Sequence, residues 1–110
     1  MLFSAAAQTR VIPYGVDLSL FLPGDRRAAR ARLSLPLDAR VVLTSAYGIR
    51  RNIWKDYDTM AAAMGLVSER LGPGSLIFVA MGEQAPPERV GRAEIRFIPF
   101  VTDPGLVADY

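Results

Sequence analysis

Apolar runs and apolar alternation divide the chain into segments with different periods. "ARVVLTSA" (39–46) holds Val41-Val42-Leu43, a continuous β-branched and apolar run of the kind buried parallel strands show. "SLIFVAMG" (75–82) repeats that pattern and ends in glycine. "AEIRFIPF" (93–100) instead alternates, which predicts a half-exposed or edge strand whose extension Pro99 limits. Between the first two, Tyr57, Met60, Ala61, Met64, Val67 and Leu71 recur at steps of three and four. That spacing predicts a helix from about Asp56 with one apolar face, leaving Asp58, Thr59, Ser68 and Glu69 off it. Gly72-Pro73-Gly74 ends the helix.

The remaining segments are shorter. "TRVIP" (9–13) predicts a strand stopped by a tight turn at Pro13-Tyr14-Gly15. "DLSLFLPGD" (17–25) predicts a packed loop anchored by Leu18, Leu20, Phe21 and Leu22. "RRAARARLSL" (26–35) predicts a helix N-capped by Asp25 and ended by Pro36, with its arginines projecting outward. "YGIRRNIWK" (47–55) and the proline-rich "EQAPPERVG" (83–91) predict polar loops. "TDPGLVADY" (102–110) predicts a helix start, capped by Thr102 or Asp103 with Pro104 in the first turn.

Strands and helices therefore alternate. The predicted class is α/β, an incomplete Rossmann-like doubly wound parallel sheet with right-handed crossovers. At 110 residues, 51% hydrophobic and 22% charged, the chain has room for about one small globular domain and is not disordered by composition. The net charge of +2 is too small for a nucleic-acid footprint unless it clusters. The cluster at Arg26, Arg27, Arg30 and Arg32 lacks interleaved aromatics and is expected to be a solvated face, so no nucleic-acid partner is expected. Cysteine and histidine are absent, which excludes disulfides, thiolate or imidazole metal sites and histidine acid–base chemistry. No apolar run approaches the ~20 residues of a membrane span, and "MLFSAAAQTR" has neither a basic start nor a long apolar stretch. The expected compartment is the cytoplasm.

Neither phosphate-loop motif is present. Lys55 follows Trp54 rather than glycine, and Gly72-Pro73-Gly74 closes a helix instead of opening one. Ligands of open parallel sheets bind beyond the carboxyl ends of the strands, which brings the loops 46–55 and 82–91 forward. The first carries Arg50, Arg51 and Lys55, with Lys55 at the mouth of the following helix. Three cations beside a helix N-terminus suit a polyanion such as a diphosphate. The structural alternative is a solvent-facing basic loop.

Four stretches in order resemble the C-terminal domain of retaining glycosyltransferases of GT-B fold, glycosyltransferase family 4. "VIPYGVDLSLFLPGD" resembles that domain's opening, a V-I-P-N-G-V-D…F-x-P pattern. "VVLTSAYGIRRNIWKDYDTMAAAM" resembles its next segment, in which an arginine precedes a lysine by about five residues. "GSLIFVAMGEQ" and "IRFIPFVTDPGLVADY" resemble the strand and the strand–helix that follow. The resemblance implies that 1–24 is a linker with a lead-in strand and loop, and that 25–110 is a partial donor-binding domain. It implies a nucleotide-sugar donor whose diphosphate meets Lys55 and an arginine. Arg50 stands five residues before Lys55 and takes that place, with Arg51 as the competitor. No protein-bound metal and no cofactor are implied.

Tyr14 stands where the family pattern has asparagine, and the loop after 41–46 is poorer in glycine than the pattern. The family's two donor-site glutamates lie eight positions apart, whereas this chain has Glu69, Glu83, Glu88 and Glu94, with no such pair. The N-terminal acceptor domain that the resemblance implies is likewise expected to be missing from these 110 residues. The expectation is a glycosyltransferase fragment, inactive alone and without its own catalytic residue. The alternative is a free-standing α/β binding or interaction module that pairs through an exposed sheet edge.

Overall fold

The computed structural model describes residues 8–110. Its elements are α1 (Arg26–Arg32), β1 (Arg40–Ser45), α2 (Tyr57–Leu71), β2 (Leu76–Met81), β3 (Glu88–Val90), β4 (Ala93–Ile98) and α3 (Pro104–Asp109). They build one sheet in the order β1-β2-β4-β3. Strands β1, β2 and β4 run parallel, and β3 pairs antiparallel with β4. The result is a mixed α/β, partial Rossmann-like arrangement.

All six residues of β2 are buried, as its unbroken apolar run requires. Their side chains alternate between two cores. On one face Phe78 and Ala80 join Ile95, Phe97, Ile49 and Tyr57, with Met60, Ala61 and Met64 of α2 against them. On the other face Ile77 and Val79 meet Ala39, with Leu35, Val41, Ile98 and Tyr110 packed alongside. Each large side chain fully buried here contributes about 1.5–3 kcal/mol. Among the described residues no helix is long and apolar enough to cross a membrane.

The capping signals act as expected. The Asp25 carboxylate accepts the Arg27 and Ala28 N–H groups at 2.8 and 3.1 Å. Asp56 accepts from Thr59, Gly72 caps the end of α2, and Asp103 accepts from Leu106 behind Pro104.

Several expectations are corrected. Residues 9–13 form no strand and pair with none among the described residues, and Val11 is 92% exposed. The 17–25 stretch is a turn held by Asp17, with Leu18, Phe21 and Leu22 exposed and only Leu20 half-buried. The predicted lead-in strand is thus an extended arm among the described residues, and positions 1–7 of the predicted linker lie outside them. β1, expected to be buried, is an edge strand with Val42 and Leu43 exposed. β4, expected to be half-exposed or at an edge, alternates buried and half-buried residues but is interior, because "ERV" inside the predicted loop 83–91 forms β3 and covers it.

The arginines of α1 do not all project outward. Arg30 donates to the carbonyls of Pro36, Leu37 and Ala39, Arg26 to that of Leu37, and Arg32 pairs with Asp109 of α3. The chain between α1 and β1 offers carbonyl groups to those guanidinium donors, so they serve the fold.

The apolar face of α2 is the predicted one at Tyr57, Met60, Ala61 and Met64, and differs from it at Val67 and Ser68. Val67 is exposed, whereas Ser68 is completely buried. The β3–β4 turn presses on this side of the helix, where a Cβ on Gly65 would come 3.0 Å from Val90. The Ser68 hydroxyl accepts the Arg92 N–H at 2.9 Å and donates to the Gly65 carbonyl at 2.7 Å. Removing it leaves the part-buried Arg92 N–H without this partner, so Ser68→Ala is expected to cost about 1 kcal/mol, read from the urea unfolding midpoint.

Candidate functional site

Parallel pairing brings the carboxyl ends of β1, β2 and β4 to one rim. The Ala46 N–H donates to the Met81 carbonyl at 3.0 Å and the Gly48 N–H to the Gly82 carbonyl at 3.1 Å. The Gly82 N–H in turn donates to the Ile98 carbonyl at 2.8 Å. The backbones of the loops after β1 and β2 are thereby sewn together where the ladder ends.

Two glycines make this possible. Gly82 has φ +121°, and a Cβ on it would sit 1.9 Å from the Ala46 carbonyl oxygen, so no other residue fits. Gly48 has φ +57° and starts a one-turn 3-10 segment, Ile49–Arg51. These glycines line an open cleft of about 530 Å³ with Tyr47, Arg51, Asn52 and Glu83.

The three residues of the 3-10 turn have three separate destinations. Ile49 is fully buried in the core under α2. Arg50 turns to acidic partners: Nε and Nη2 donate to Glu83 Oε1 at 3.0 and 2.6 Å, and Nη1 donates to Glu88 Oε1 at 3.2 Å. Its backbone N–H donates to Glu83 Oε2 at 3.2 Å. Its guanidinium also lies 4.8 Å above the centre of the Phe97 ring. Arg51 lines the cleft and makes no ion pair among the described residues.

Lys55 is exposed just before α2 and does not line the cleft. Its backbone N–H donates to the Asn52 carbonyl at 3.1 Å. The next residue, Asp56, caps α2 from a left-handed conformation, φ 45°. The structure therefore keeps the three predicted cations on one rim but separates their surroundings. One is bound to carboxylates, one faces the cleft and one is exposed at the helix mouth, without an ion pair among the described residues.

Sequence reasoning missed Glu83, Glu88, Tyr57 and Phe97 as members of this cluster. Arg50 and Glu83 are separated by 33 positions, so no local spacing pairs them. Tyr57 packs against Phe78 and Phe97, with ring centroids 6.3 and 5.9 Å away. Its hydroxyl is buried without a hydrogen-bond partner among the described residues. Burial, and then the Glu88 charge, push its pKa up to about 12. Hydrogen bonds from the Arg50 side chain and then its backbone hold the Glu83 carboxyl below its ordinary range, and Glu83 in turn secures the charge on Arg50.

A stretch of 36 residues is 64% identical to the D-inositol 3-phosphate glycosyltransferases of Mycobacterium tuberculosis and Mycobacterium bovis. It covers 33% of this chain and 8% of each relative. The chain thus contains a glycosyltransferase-like segment that spans a small part of those enzymes. No protein-family model matches the chain, and no solved structure does.

Two outcomes are expected from this geometry. Gly82→Ala should destabilise by roughly 3 kcal/mol or more, because backbone must move to admit the methyl; thermal unfolding measures this. Glu83 has a depressed folded-state pKa, so its stabilisation is complete above the ordinary value of 4.5 and is lost as pH falls through the folded value. Urea titrations from pH 6 downward should show this loss in the wild type and a shallower one in Glu83→Gln.

Proposed function

We propose that the chain carries part of the donor-binding domain of a retaining glycosyltransferase of GT-B fold, family 4. The rim cleft receives the diphosphate of a nucleotide-sugar donor. The observation that supports this best is the placement of Gly48, Gly82 and Arg51 around one cleft at the carboxyl ends of parallel strands. The glycosyltransferase-like segment supports the reaction class. Side-chain-free backbone lets a phosphate approach closely, and the cations neutralise the charge that develops on a leaving diphosphate. Arg51 supplies charge from the cleft wall, and Lys55 supplies it from the mouth of α2, where the helix dipole adds to it. Arg50 belongs to the same basic loop, with its guanidinium held by Glu83 and Glu88.

Sugar transfer itself needs groups outside these 110 residues: the acceptor domain and the paired donor-site glutamates of the family pattern. The 110-residue chain is therefore a donor-diphosphate module with no turnover of its own. A nucleotide-sugar donor also fits a cytoplasmic protein.

The test is an NMR titration of the chain with UDP and with GDP. Binding in the roughly millimolar range is expected, with amide shifts concentrated at Gly48, Arg51, Lys55 and Gly82. Lys55→Ala should weaken it several-fold while leaving the urea midpoint unchanged, since Lys55 makes no ion pair among the described residues. Shifts scattered away from the rim, or unchanged affinity in Lys55→Ala, would overturn the assignment. Sugar transfer by the 110-residue chain would contradict the module reading.

A further inference from the structure

We infer that Arg50 is a positioning residue: it latches the basic loop to Glu83 and Glu88 and neutralises Glu83, so that Arg51 is the arginine presented to the diphosphate. This rests on the site reading above and concerns the division of labour within it.

The geometry of the 3-10 turn carries the argument. With three residues per turn, successive side chains point about 120° apart. Ile49 is anchored in the core and Arg50 is held by two carboxylates and an aromatic face, which leaves Arg51 directed at the cleft. Nε, Nη1 and Nη2 of Arg50 are all engaged. Its partners come from three further places in the fold: the turn after β2, β3 and β4. The latch therefore ties the loop after β1 to the rest of the sheet through side chains as well as backbone.

Charge balance leads to the same conclusion. Glu83 lines the cleft, and an uncompensated carboxylate there would repel a diphosphate. Drawing Arg50 off to a phosphate would release that carboxylate beside the incoming anion. Leaving it on Glu83 keeps the wall neutral and lets Arg51 carry the net positive charge.

A double-mutant cycle separates the two roles. UDP affinity is measured for wild type, Arg50→Gln, Glu83→Gln and the double variant. Amide hydrogen exchange of residues 48–55 is followed in each. As a latch, Arg50→Gln weakens UDP binding by about tenfold and speeds exchange of the loop. In the Glu83→Gln background the same change costs less than about twofold, because its main partner is already gone. A loss that persists undiminished in that background makes Arg50 a direct ligand and overturns the inference alone. Failure of the wild-type chain to bind UDP overturns the site reading and the inference with it.

Discussion

The burial of β2 on both faces, with parallel partners on both edges, is the constraint from which the rest follows. A strand with six consecutive buried residues must be covered above and below, and its backbone groups must all be paired. β1 and β4 supply the ladders, α2 covers one face, and Leu35 with Tyr110 close part of the other. Because all three strands run the same way, their carboxyl ends share one rim. The loops that follow β1 and β2 then have no choice but to meet there.

At that rim the chain faces an electrostatic problem. A basic turn is pinned there by acidic partners of Arg50, while Arg51 lines the cleft and makes no ion pair among the described residues. Backbone bonds through Gly48 and Gly82 fix the path of the loop, and Arg50 joins it to Glu83 and Glu88. A partly exposed ion pair alone stabilises little. Here one guanidinium meets two carboxylates, a backbone N–H joins it, and an aromatic ring lies beneath, so geometric definition is its larger contribution. The buried Tyr57 hydroxyl beside this cluster is a polar group without a partner among the described residues, set between rings that hold it in place.

Local chemistry was legible in the sequence wherever one residue type acts on its own neighbours. Asp25 and Asp103 cap the helices they precede, α2 begins just after Asp56, Gly72 ends it, and Pro99 follows the last residue of β4. The apolar runs located β1 and β2, and the alternation located β4. What the runs could not reveal was rank within the sheet. Val41-Val42-Leu43 has the composition of a central strand yet lies at an edge, and the alternating β4 lies inside. Alternation reports two unlike faces and says nothing about edges. The three residues of β3 were too few to stand out within a proline-rich stretch. Ser68 looked solvent-facing because only the β3–β4 turn, distant along the chain, buries it.

The sequence by itself determined the α/β order, the helix ends, the buried middle strand and a basic loop at the carboxyl ends of the strands. These depend on contacts within one turn of helix or on the period of a single strand. The tertiary structure decided which strands are edges and that Ser68, rather than Val67, of α2 lies inside. It also decided how the cations divide their surroundings: Arg50 on Glu83 and Glu88, Arg51 on the cleft, Lys55 at the helix mouth. The reason is the same in each case. A charge acts on whatever folding brings within a few ångströms, and the partners of Arg50 lie more than thirty residues away along the chain.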